Sequence, residues 1–219
     1  MKTLKEYIIE GIFDIEDNIE DLSVESLIED FIKENYNTTA KIQIKKKGDK
    51  YIVSTKGDVF VKNKNITELT NGLFEWGEVR GWFSCANCTS LKSLKGAPKE
   101  VGENFDCSDC TSLKDLKGAP EKVEWNFYCY GCTSLQSLKG APEKVEWDFY
   151  CYGCTSLQSL KGAPEKVKHN FDCQRCTSLE SLNGAPEKVE GDFYCSKCGK
   201  KFTEEDVRAV CDVEDEIYV

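Results

Sequence analysis

Cysteine recurs as C-x-x-C pairs at one fixed interval: Cys85/Cys88, Cys107/Cys110, Cys129/Cys132, Cys151/Cys154, Cys173/Cys176 and Cys195/Cys198, each 22 residues after the last (107 − 85 = 22). Between the pairs the chain repeats Thr-Ser-Leu-x-x-Leu-x-Gly-Ala-Pro-x-x-Val-x-x-x-Phe with little change. A constant period of this size means one supersecondary unit copied and stacked, which is a solenoid. In the coil Phe149-x-Cys151-x-x-Cys154-x-x-Leu157-x-x-Leu160, Phe149 and Cys151 are two apart and share the inward face of a short strand. Tyr150 and Tyr152 then take the open face. Leu157 and Leu160 turn the chain back into the core, and Gly162-Ala163-Pro164 keeps the returning limb extended or in one tight turn. Ordering one coil costs roughly 1–2 kcal/mol per residue in backbone entropy. Burying its Phe, two Leu and Val returns only about 1.5–3 kcal/mol per side chain, so a coil is stable only when stacked on neighbours.

The spacing resembles the leucine-rich repeats, with Cys154 where that family places the Asn or Cys that turns the chain out of its strand. The Leu-x-x-Leu-x-x-x-Pro limb looks like the short bacterial subtype, and the likeness covers about residues 59 to 198. It implies an α/β leucine-rich-repeat solenoid, with short parallel strands on a concave face and an extended or 3-10 convex side. A degenerate first coil, Val59-x-Val61-x-x-Lys64-x-Ile66-x-x-Leu69, keeps the spacing without cysteines.

Four segments follow from the composition along the chain. Residues 1–38 carry eleven Asp and Glu against three Lys, with apolar residues at helical spacing and Ser23 as an expected N-cap. Residues 39–64 read as a basic hairpin turning at Lys45-Lys46-Lys47-Gly48-Asp49, followed by the N-terminal cap. Residues 65–198 are the 22-residue coils, and 199–219 a C-terminal cap whose helix starts at Thr203-Glu204-Glu205-Asp206 and whose Glu216-Ile217-Tyr218-Val219 can add an edge strand.

The chain has thirteen cysteines, and its opening shows no signal peptide or membrane span. A reducing, cytoplasmic compartment and free thiols are therefore expected. Three roles for the thiols stay open: inward-facing core residues, a zinc site, and redox chemistry. The zinc alternative centres on Cys173, Cys176, Cys195, Cys198 and Cys211, because Cys195-Ser-Lys-Cys198 looks like half a zinc finger. His169 is the one histidine, so each coil supplies two ligands and a metal would have to bridge coils.

Met1 to Gly11 resemble the capsid-targeting sequences that open the internal head proteins of T-even-type tailed phages. That family's prohead protease cuts after an apolar-x-Glu triplet, so the resemblance implies processing between Glu10 and Gly11. An ordinary amphipathic helix is the other reading of this stretch. The repeats also resemble uncharacterised proteins of tailed phages and gut bacteria that share the phrase Leu-Lys-Gly-Ala-Pro-Glu-Lys-Val.

Positions on the open strand face vary from coil to coil, and the aromatics gather on the two middle coils. Trp125, Tyr128, Tyr130, Trp147, Asp148, Tyr150, Tyr152 and His169 form the candidate partner-binding set. Cross-strand stacking and recent duplication of one coil account for the same pattern without a partner. A net charge of −10 and pI of about 4.8 disfavour nucleic acid as the partner. No catalytic constellation or phosphate-cradling loop is visible. The expectation is a non-enzymatic, cofactor-free, protein-binding repeat module, phage-related, packaged in a phage head and acting on a bacterial host protein as an anti-defence or host-takeover factor. Its alternatives are a cysteine-rich zinc-binding structural protein and an acidic nucleic-acid mimic. Oligomeric state is left open.

Overall fold

The computed structural model describes residues 23–70 and 72–219. They wind as a parallel β-solenoid of about eight turns. Each repeated coil contributes two short strands. One begins at the phenylalanine, as in Phe127–Tyr128 and Phe149–Tyr150, and the other is the Lys-Val of the returning limb, as in Lys144–Val145 and Lys166–Val167. In-register pairing of Phe127 with Phe149 and of Val145 with Val167 builds two nine-stranded sheets around one core.

The returning limb is thus extended rather than 3-10, and it pairs into a second sheet that the repeat pattern alone does not announce. Its cause is the buried valine preceded by Lys or Glu and, in most coils, followed by a charged residue, a period-two alternation that suits a strand with one face in the core. Helix is confined, among the described residues, to Val24–Asn35 and Glu204–Arg208, so the expected α/β class gives way to a mainly β architecture.

The inward positions are those the spacing picks out. Phe83, Phe105, Phe127, Phe149, Phe171 and Phe193 are all fully buried, and their rings follow one another at centroid distances of 5.1 to 5.8 Å. The degenerate coil contributes Val59, Val61, Ile66 and Leu69 to the same core. Between the two cysteines of every pair, the second residue has left-handed backbone: Asn87, Asp109, Gly131, Gly153, Arg175 and Lys197 lie at φ 56 to 70°. This bend turns the chain out of the strand within three residues. The glycine of Gly-Ala-Pro meets a different constraint, since a Cβ on Gly140 would lie 2.6 Å from the backbone of Leu116 and Lys117 in the coil below.

Both ends are closed by capped helices. Ser23 accepts the Ser26 backbone N–H at 3.2 Å, and the helix Val24–Asn35 buries Ile28 and Ile32 in the core. Thr203 and Asp206 form a reciprocal capping box at Glu204–Arg208, which buries Val207. The hairpin strands Ile42–Lys47 and Lys50–Thr55 join the Lys-Val sheet, and Tyr36–Thr38 joins the phenylalanine sheet antiparallel to Val59–Val61. At the far end Asp212–Val213 and Ile217–Tyr218 add one more strand to each sheet.

Candidate partner-binding face

The open face of the phenylalanine sheet carries the expected aromatic set. Tyr128 and Tyr150 stack at 5.2 Å, Tyr130 and Tyr152 at 4.7 Å, with each pair within a few degrees of parallel. Tyr128 stands edge-on to Tyr130, and Tyr150 edge-on to Tyr152. Trp125 and Trp147 lie beside one another at 6.2 Å and continue to His169 at 5.4 Å. In-register pairing makes this arrangement automatic, because residues 22 apart occupy the same place one strand along. The tyrosines are half-buried, whereas Trp125 and Trp147 are each 49% exposed.

Asp148 has a different standing from its neighbours in that set. It is buried, and its carboxylate is fully engaged. Oδ1 accepts the Asn170 backbone N–H at 2.9 Å and lies 2.6 Å from His169 Nδ1, while Oδ2 accepts the Tyr150 hydroxyl at 3.0 Å. The first of these bonds belongs to a ladder that begins at Asn104 and runs to the last coil. Asn104, Asn126, Asp148 and Asn170 each accept, through Oδ1, the backbone N–H of the equivalent residue one coil later, at 2.9 to 3.1 Å. These Asx residues secure the start of each strand. The sequence signal was the 22-residue recurrence of Asn or Asp just before Phe, which by charge alone reads as an acidic rim.

Three of these phenols, Tyr128, Tyr150 and Tyr152, are held protonated. Burial, then the Asp148 charge, pushes Tyr150 well above the usual tyrosine range, and burial raises Tyr128 and Tyr152. Tyr194, donating to Asp192 at 2.7 Å, is pushed up to about 12. The face therefore offers hydroxyl donors, indole N–H groups and apolar ring edges at neutral pH. Asn126 donates to the Tyr128 hydroxyl at 2.8 Å, which leaves the phenol hydrogen for another acceptor.

The cysteines form a second, internal constellation. In each pair after the first, the second thiol donates to the backbone carbonyl of the first cysteine one coil earlier: Cys110 to Cys85, Cys132 to Cys107, Cys154 to Cys129, Cys176 to Cys151 and Cys198 to Cys173, at 3.1 to 3.3 Å. A thiol can make this bond only while protonated. Burial supports that state at two of these donors, pushing Cys154 well above the usual thiol range and Cys176 up to about 12; the buried thiols of Cys88, Cys195 and Cys211 are likewise pushed up to about 12. Cys198 is the exception: it is only half-buried, and a hydrogen bond from Cys173 lowers its thiol.

Cys173, Cys176, Cys195, Cys198 and Cys211, the five residues of the zinc alternative, do not converge. Among the described residues no group of three or more His, Cys, Asp or Glu side chains is arranged to hold a metal ion. Glu10 and Gly11 lie outside the described residues. No described helix is long and apolar enough to cross a membrane. No family model, curated protein or solved structure matches this chain.

Proposed function

We propose that the protein is a non-enzymatic binding module of the leucine-rich-repeat kind, which recognises a partner protein through the aromatic face of its phenylalanine sheet. The observation that carries this reading is the adjacent pair Trp125 and Trp147. They are two of the largest apolar side chains left in water, set beside stacked tyrosines of which Tyr128 and Tyr150 have their hydroxyls held by Asn126 and Asp148. Large apolar rings with polar tips are the side chains that dominate binding hot spots. Internal hydrogen bonding occupies Asp148, so it acts by positioning Tyr150 and His169 and makes no contact of its own with the partner.

The test begins with affinity purification from bacteria expressing the chain, and then measures the recovered partner against Trp125→Ala/Trp147→Ala. Both side chains project into solvent, so the fold survives their truncation. Loss of roughly 2 kcal/mol or more in affinity supports the site, and unchanged affinity removes it.

The wider setting we propose is a phage-related protein acting in the bacterial cytoplasm after packaging in the head, a reading supported by the likeness of Met1 to Gly11 to capsid-targeting sequences. N-terminal sequencing of particle-borne protein tests it, with Gly11 as the expected first residue. An intact Met1 in purified particles, or absence from them, contradicts it.

A further inference from the structure

The two ends of the Lys-Val sheet are chemically opposite. At one end the strand Ile42–Lys47 has no further partner among the described residues, and at the other Asp212–Val213 has none. Residues 41–56 hold six Lys and one Asp, while residues 202–219 hold seven Asp and Glu and one Arg. The basic end bears a groove of about 670 Å³ over an Ile52 and Gly77 floor, rimmed by Lys45, Lys47 and Lys99. The last coil at the acidic end leaves Val210, Tyr218 and Val219 between 44% and 46% exposed, Tyr218 on the terminal strand of the phenylalanine sheet, and these are three of the five large apolar side chains so exposed among the described residues.

The faces match as well as the charges. Along Ile42–Lys47 the half-buried Ile42 and Ile44 alternate with exposed Gln43 and Lys45. Along the far edge buried Val213 lies between exposed Asp212 and Glu214. An antiparallel pairing of the two edges would set Ile42 or Ile44 beside Val213 on the inner face, and lysines beside carboxylates on the outer. Two basic edges would repel each other, as would two acidic ones, so charge permits only the pairing of unlike ends.

We propose that the chain self-associates head to tail, the acidic last coil of one copy docking on the basic hairpin edge of the next. Such a contact is heterologous, and repeated use of it gives an open string of molecules instead of a closed dimer. Glu214 is already paired with Lys188 at 2.5 Å, so its neighbours Asp212 and Asp215 are the carboxylates of this edge assigned to the contact.

Sedimentation velocity of the full chain over a range of concentrations and ionic strengths tests this. The expected result is association that grows with concentration and is lost in high salt. Lys45→Glu/Lys47→Glu and Asp212→Lys/Asp215→Lys should each weaken it by roughly tenfold or more. An equimolar mixture of the two variants should restore it, because the acidic last coil of the first meets the intact basic hairpin of the second. Thermal unfolding of each variant checks that it is folded. A wild-type chain that stays monomeric at low salt, association indifferent to both variants, or a mixture that fails to recover would each overturn the proposal.

Discussion

Arg175 and Lys197 hold a left-handed backbone that two other coils assign to glycine, at φ 57° and 58° against 66° and 70° for Gly131 and Gly153. A side chain there costs about 1–2 kcal/mol from contact between Cβ and the following carbonyl. Arg175→Gly is therefore expected to stabilise the protein by about 0.5–1 kcal/mol, after the added freedom of the unfolded chain is discounted. A rise in the urea midpoint checks it. Gly140 is the contrasting position, because its missing Cβ is replaced by the backbone of the coil below. Gly140→Ala should cost more than Gly153→Ala, whose Cβ would meet nothing closer than 3.8 Å. Equal losses would mean that coil spacing yields easily and the close approach at Gly140 is unimportant.

The ladders are the elements that hold one coil to the next, and they differ in how plainly the sequence displays them. Phe and Cys two apart, Leu three apart, and caps at Ser23 and Thr203 are legible because periodicity and capping chemistry report directly on which side faces inward. The returning strand is less so, since two residues with one buried valine give too short an alternation to separate a strand from an extended loop. Asp148 shows the remaining limit. Its charge suggests a contact with a partner, yet its Oδ1 serves the strand of the next coil, a bond invisible until the register is known. Asp148→Asn keeps that oxygen and should change stability little, as Asn104, Asn126 and Asn170 do the same work. Asp148→Ala leaves the Asn170 N–H without its partner and should cost about 1–3 kcal/mol by chemical denaturation. If the two variants lose the same, the ladder contributes nothing.

For the whole molecule, the repeat makes stability a property of stacking and makes it sensitive to pH. The buried thiols have folded values near 12 at Cys88, Cys176, Cys195 and Cys211, against about 8.5 in an unfolded chain. A value raised by folding means that the stabilisation is complete below the unfolded value and is lost as pH climbs toward the folded one. The urea midpoint should thus hold steady at neutral pH and fall progressively above about pH 8.5. Removing residues 129–150, one full period, rejoins Tyr128 to Cys151 in register and should leave a single cooperative transition. A deletion of half that length should abolish folding. The most direct measurement of the central claim, that these sulfurs are buried structural donors, is time-resolved alkylation of the thirteen thiols with each site located by mass spectrometry. Cys198 should be modified first in the native protein and the fully buried thiols only on unfolding; rapid native modification of most of the paired cysteines would contradict the account.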